Sequence, residues 1–134
     1  MVNPSRDLDQ ELRRLEFKVQ AGAEFAVTRP VFDVGAFERF LKRVEPLGLP
    51  IIVGIWPFES ALNAEFMANE VPGVQVPSAL VDRMRHAHPD QAAAEGVSIA
   101  AEVGRALRGL VQGVHLSGPA HALESTLTLL DRLV

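Results

Sequence analysis

The sequence predicts an α/β fold in which the strands of one parallel sheet alternate with helices. Short apolar runs, such as the one ending in Trp56-Pro57, alternate with longer segments whose apolar residues recur every three or four positions. The connections between the runs are too long for hairpins, so we expect parallel strands with right-handed crossovers. The expected order is helix, strand, helix, strand, two short helices, a long helix, strand and helix.

The first helix is predicted over residues 5–23, where leucines and a valine fall at helical spacing. Ser5 or Asp7 is placed to cap its start, and Gly22 is a stop signal. The second helix is predicted over 34–48, and its end is marked by a proline and a glycine.

Three strands are predicted, and their apolar runs indicate burial in a parallel sheet. The run Phe25-Ala26-Val27 is continuous, which is expected when helices cover both faces. The second strand is the most strongly β-branched of the three. With so few strands, both edges of the sheet would be open to association. The strands are predicted over residues 24–32, 50–56 and 113–118.

The second half of the chain is mostly helical. Asp90 would cap the long helix. Gly96 and Gly104 lie inside that helix, where each costs about 1 kcal/mol relative to alanine, so we expect close packing against the sheet there. The predicted helices are 59–69, 78–87, 90–111 and 121–134.

Composition excludes several classes of protein. The 134 residues suit a single domain, 1–134, with a net charge of −4 that argues against nucleic acid or an anionic membrane as partner. There is no cysteine, which excludes disulfides and thiolate metal sites. The start is too polar for a secretory signal, and no apolar run approaches the roughly 18 residues of a membrane helix, so the expected location is the cytoplasm.

Ligands of α/β proteins bind at the carboxyl ends of the strands. Arg29 and Trp56 stand there, each directly before a proline, and His115 lies on the third strand. Each has a second interpretation. Arg29 could pair with Asp33 or Glu59, Trp56 could be a packing residue, and His115 could be a core histidine. No phosphate loop, nucleophile elbow or zinc motif is present, and no metal site or catalytic residue is predicted.

Several stretches together resemble the C-terminal part of methylenetetrahydrofolate reductase. They are "KVQAGAEFAVTRPVFD", "LPIIVGIWPF", "NAEFMANEVPGVQVP", "EGVSIAAE" and "GVHLSGP". Their order and spacing are most similar to the reductase module of bacterial bifunctional homocysteine methyltransferase/methylenetetrahydrofolate reductase proteins. The resemblance implies part of a (β/α)₈ TIM barrel, with strands six to eight and their helices. It also implies FAD as cofactor and the reduction of methylenetetrahydrofolate to methyltetrahydrofolate.

The resemblance assigns roles to seven residues. Lys18 matches the family lysine near the flavin, and Glu11 and Arg14 on the same helix are further flavin candidates. Arg29 stands where the family has a glutamine that contacts the folate pterin, and a guanidinium can donate but cannot accept hydrogen bonds. The substrate-side candidates are Arg29, Phe32, Trp56 and Phe66.

The same resemblance limits the expected activity. The family's general acid lies on the first strand and its main flavin contacts on strands two to five, which have no counterpart in this sequence. We therefore expect little reductase activity from the chain alone, and whether it acts as an enzyme stays open. The expected partners are the folate substrate and either the missing N-terminal barrel half or a second copy. The alternative is a non-catalytic module that binds folate or another anion.

Overall fold

The computed structural model describes Val2 and residues 7–134. Three parallel strands form one sheet in the order β1-β2-β3, and helices connect them. The predicted order of elements is confirmed. The strands are β1 Ala26–Pro30, β2 Ile51–Ile55 and β3 Gly113–Leu116. The helices are α1 Leu8–Gln20, α2 Val34–Val44, α3 Ala61–Asn69, α4 Ser78–His86, α5 Ala92–Ala106 and α6 Leu123–Leu133.

The ends of the helices follow local signals in most cases. The Asp7 carboxylate accepts hydrogen bonds from two amides of the first turn of α1, and Gly22 follows the helix with a φ of 106°, as predicted. Ser5 lies outside the described residues. The prediction for Asp90 is wrong. It lies in a short 3₁₀ turn, Pro89–Gln91, that the His88 side chain caps, and α5 begins only after that turn.

The helices cover one face of the sheet. Ala26, Ile51 and Val53 point into a core shared with Phe37 and Phe40 of α2. Val27 pairs with Ile52 on the other face, where both are only half-buried. The expectation that both faces are covered is therefore wrong for the described part of the chain. Phe25, predicted to belong to the buried run, precedes β1 and is 57% exposed.

Two glycines let α5 pack closely against its neighbours. A Cβ on Gly96 would lie 1.7 Å from the carbonyl oxygen of Phe58, in the loop after β2. A Cβ on Gly104 would lie 2.6 Å from a methyl carbon of Leu133 on α6. Close packing is confirmed, but its partners are a loop and a helix rather than the sheet, because α5 runs behind β2 and beside α6.

The two edges of the sheet differ. Val2 lies beside β1, donating to the Val27 carbonyl at 2.9 Å and accepting from the Arg29 amide at 3.0 Å. Among the described residues, β3 pairs with β2 and with no strand on its outer side. Val2 thus covers part of the β1 edge, whereas the outer edge of β3 is unpaired in the described part. No helix in the described ranges is both long and apolar enough to cross a membrane.

Candidate functional site at the carboxyl ends of the strands

The first strand ends in a β-bulge. Val27 pairs with Ile52 and Pro30 with Gly54, so β1 carries one more residue than β2 over this interval. A bulge bends its strand and re-aims side chains, and bulges are frequent beside active sites. Proline then ends the ladder, because it has no N–H to donate. This explains why β1 ends at Pro30.

A row of residues crosses the sheet beside the bulge. Gly54 pairs with Pro30 on one side and with His115 on the other. Since paired residues share a face, these three lie on the face that the helices leave uncovered, with Ile52 one step earlier along β2. His115 is exposed, so its interpretation as a core histidine is wrong. Gly54, in the middle of the row, is buried.

Arg29 has no ion pair within the described part of the chain. Asp33 instead caps α2 by accepting from the Ala36 amide at 3.0 Å. Oε1 of Glu59 is buried without a hydrogen-bond partner among the described residues. The pairing of Arg29 with either carboxylate is therefore not found, and its half-buried guanidinium is available for an anionic ligand.

Asn63 organises the loop after β2. Its Oδ1 accepts from Trp56 Nε1 and from the Glu59 amide, both at 3.2 Å. Ser60 caps α3 by accepting from the Asn63 amide at 3.0 Å. Trp56 is half-buried and packs against the second core cluster, so it combines packing with a partly exposed ring. Sequence reasoning missed Asn63, although a serine cap three residues before it was a usable signal.

The two candidate phenylalanines have different surroundings. Phe32 is 4% exposed and stacks on Phe58, with ring centroids 4.6 Å apart. Its side chain is part of the core. Phe66 is 54% exposed on α3, and Leu62, one turn earlier, is 75% exposed. Phe66 thus presents an apolar surface that a planar ligand can contact, and Leu62 extends that surface in a way that the sequence analysis did not identify.

The three candidate flavin residues lie along one side of α1. Glu11 is buried, and its Oε2 is 4.0 Å from Nη1 of Arg14. Lys18, one turn beyond Arg14, is exposed. Two cations on one helix side suit the phosphates of a dinucleotide. A cavity of about 670 Å³ opens beside Pro50 and Gln112, at the opposite ends of the strands. Arg14 and Lys18 carry the charge that the phosphates of FAD would need, and this cavity lies away from the carboxyl ends of the strands.

Comparisons with known proteins identify related chains. Residues 1–128 match the family model for methylenetetrahydrofolate reductase. Methylenetetrahydrofolate reductase 1 of Schizosaccharomyces pombe is 31% identical over 84 residues, which cover 61% of this chain and 14% of that protein. Methylenetetrahydrofolate reductase 2 of the same organism is 31% identical over 101 residues, or 71% of this chain and 16% of that protein.

A solved structure shares the fold. It belongs to a Clostridium thermocellum protein that binds two copies of 5-methyl-5,6,7,8-tetrahydrofolic acid. The TM-score is 0.69 at 21% identity, and the match covers 94% of this chain and 49% of that one. The chain thus spans about half of that structure and a small part of each curated relative.

Proposed function

Because the chain belongs to the methylenetetrahydrofolate reductase family, we propose that it is the C-terminal portion of a flavin-dependent reductase barrel and binds a reduced folate at its strand ends. Its motifs favour the reductase module of the bifunctional bacterial enzymes. The observation that carries the proposal is the arrangement at the ends of β1 and β2, where Arg29 lies without a carboxylate partner in the described part and Trp56 is partly exposed.

The chemistry of these residues suits the two ends of a folate. Trp56 and Phe66 offer aromatic surface to a pterin ring. Arg29 offers a fixed cation with five donors, which suits a carboxylate of the glutamyl tail or a ring oxygen. Phe32 supports this arrangement from the core through its stack on Phe58.

FAD would supply the hydride transferred to methylenetetrahydrofolate when it is bound. Arg14 and Lys18 would hold its phosphates, with Glu11 fixing Arg14. The general acid and the ring contacts expected for the family lie outside this sequence by resemblance. We therefore propose that the chain alone has little reductase activity and retains little flavin.

Another chain would then complete the sheet beyond β3. The outer edge of β3 is unpaired in the described part, and Leu123, Leu127 and Leu130 form an exposed stripe on α6. Either a second copy or an N-terminal barrel half could cover these groups. Light scattering with gel filtration separates the two. A dimer that Leu127→Asp dissociates and Leu62→Asp leaves intact supports a second copy, whereas a monomer favours the separate half.

The second candidate is a non-catalytic module that binds folate or another anion. The observation that favours it is Arg29 in place of the family's glutamine. Titration of Arg29→Gln with 5-methyltetrahydrofolate distinguishes the two functions, with the exposed Arg13→Gln as matched control. Weaker binding supports the first function, in which Arg29 contacts the folate. Tighter binding means that an amide suits the folate better than Arg29 does, which favours the second candidate with a different anion as its ligand. Unchanged binding contradicts any contact between residue 29 and the ligand.

A further inference from the structure

Thr28 is a polar residue inside an otherwise apolar strand, and it is 1% exposed. Its hydroxyl accepts from the Gly54 amide at 3.0 Å and donates to the Arg29 carbonyl at 2.8 Å. A buried hydroxyl with both functions satisfied stabilises one local conformation, since losing either bond would leave a buried polar group unpaired.

The hydroxyl fills a gap in the ladder. In a regular parallel pair, the Gly54 amide would be satisfied by a main-chain carbonyl of β1. The extra residue between Val27 and Pro30 breaks that register. At the bulge, the Thr28 hydroxyl therefore replaces a main-chain carbonyl as the acceptor for the Gly54 amide.

Gly54 is the second residue on which the geometry of the bulge depends. A Cβ on Gly54 would lie 2.7 Å from the Thr28 carbonyl oxygen and 3.1 Å from the carbonyl carbon of Arg29. The β1 backbone thus approaches β2 more closely than any other residue at position 54 would allow.

These contacts fix the main chain of Arg29 on both sides. Its amide donates to the Val2 carbonyl at 3.0 Å, and its own carbonyl accepts from Thr28. Its side chain has no hydrogen bond or ion pair within the described ranges. A fixed backbone carrying an unengaged cation is the arrangement that a binding site needs, because little ordering remains to be done when the ligand arrives.

We propose that Thr28 is a positioning residue, whose hydroxyl holds the bulge that presents Arg29 to the ligand. The proposal rests on the proposed function, in that Arg29 is taken to contact a reduced folate. It adds that Thr28, which does not touch the ligand, controls affinity through Arg29.

The first test needs no ligand. Hydrogen exchange of the Gly54 amide, measured by NMR, is expected to be at least about tenfold faster in Thr28→Val than in the wild type. Thr28→Ser, which keeps the hydroxyl, should retain the protection. Equal protection of Gly54 in the Val variant would overturn the role of the hydroxyl. If Thr28→Val does not fold, the Ser variant still decides, because loss of protection there contradicts the proposal.

The second test uses a double-mutant cycle with 5-methyltetrahydrofolate as probe. Thr28→Val should change the dissociation constant by about fivefold or more when Arg29 is present, and by less than about twofold in the Arg29→Ala background. Equal effects in both backgrounds would mean a merely structural role. If the wild-type chain binds no folate, the proposed function fails, and the exchange experiment alone decides whether Thr28 holds the bulge.

Discussion

Around β2, Val53 is fully buried and has a paired strand on either side, whereas Val114 and His115 of β3 are exposed and have a paired strand on one side only in the described part. The β1 edge is also better satisfied, since Val2 hydrogen-bonds to it at two points. On the β3 side, α6 packs on α5 through Leu129 and Leu133 and leaves a second apolar stripe bare.

The difference separates a self-sufficient side of the fold, where the strands and core are covered within the described residues, from a side that leaves apolar surface and a strand edge exposed. The β1–β2 side has a complete helix layer, a specified bulge and a satisfied edge. In the described part, the β3–α6 side carries exposed apolar surface and an unpaired strand edge, which are features that association with another chain can cover. The candidate ligand residues lie on the self-sufficient side, so we expect their geometry to survive without a partner.

The largest expected effect is the loss of stability when a buried side chain on the β1–β2 side is truncated, compared with the same change on the β3–α6 side. Phe40→Ala should lower the free energy of unfolding by about 3–5 kcal/mol, because Phe40 is fully buried beneath the sheet. Leu127→Ala on α6 should change it by within about 0.5 kcal/mol in a monomer, because that side chain is half exposed. Urea denaturation measures both. A large cost for Leu127→Ala would reveal that the α6 stripe is already buried in an assembly.

A smaller effect tests the close contact between α5 and the loop after β2. Gly96→Ala should destabilise the fold by about 2–3 kcal/mol, since its Cβ would overlap the Phe58 carbonyl. Gly35→Ala on α2 is the matched control. Its Cβ meets no atom closer than 3.7 Å, and alanine should stabilise by up to about 1 kcal/mol. Chemical denaturation measures the free energy of unfolding of both variants. An unchanged free energy of unfolding in Gly96→Ala would contradict the described packing.

The smallest expected effect is a pH dependence at the surface of α5. Arg83 hydrogen-bonds to Glu102 at 2.7 Å and thereby lowers the pKa of that carboxyl below 4.5. Because the folded-state pKa is the lower one, this contribution is present above about pH 4.5 and is lost as the pH falls through the folded-state value. It should amount to less than about 1 kcal/mol, because solvent screens the pair.

The measurement for this prediction is the urea midpoint from about pH 7 to about pH 3. The wild type should lose more stability at the acid end than Glu102→Gln does. Identical acid profiles for the two proteins would show that the ion pair contributes nothing.

The order of the elements was predictable because it depends on local signals. Helical spacing in α1, the cap at Asp7 and the stop at Gly22 each act within a few residues of the feature they determine. The end of β2 was predictable for the same reason, since proline ends a ladder wherever it occurs, but β1 and β3 stop two residues before their predicted ends.

The features that escaped prediction depend on contacts between distant residues. The bulge requires Thr28 and Gly54 to meet across two strands. Gly96 packs against the Phe58 carbonyl, in a loop that lies far from it in sequence. The burial of Phe32 depends on its stack with Phe58. The exposure of His115 follows from its place on the face of the sheet that the helices leave uncovered, which no pattern within that strand could indicate.

The central claim is that this chain supplies only part of a flavin site. The most direct measurement is the visible absorption of the purified protein after incubation with FAD and removal of the excess by gel filtration. We predict that no flavin band is retained, because the ring contacts that the resemblance implies for the family have no counterpart in this sequence. Retention of stoichiometric flavin by the chain alone would contradict the account.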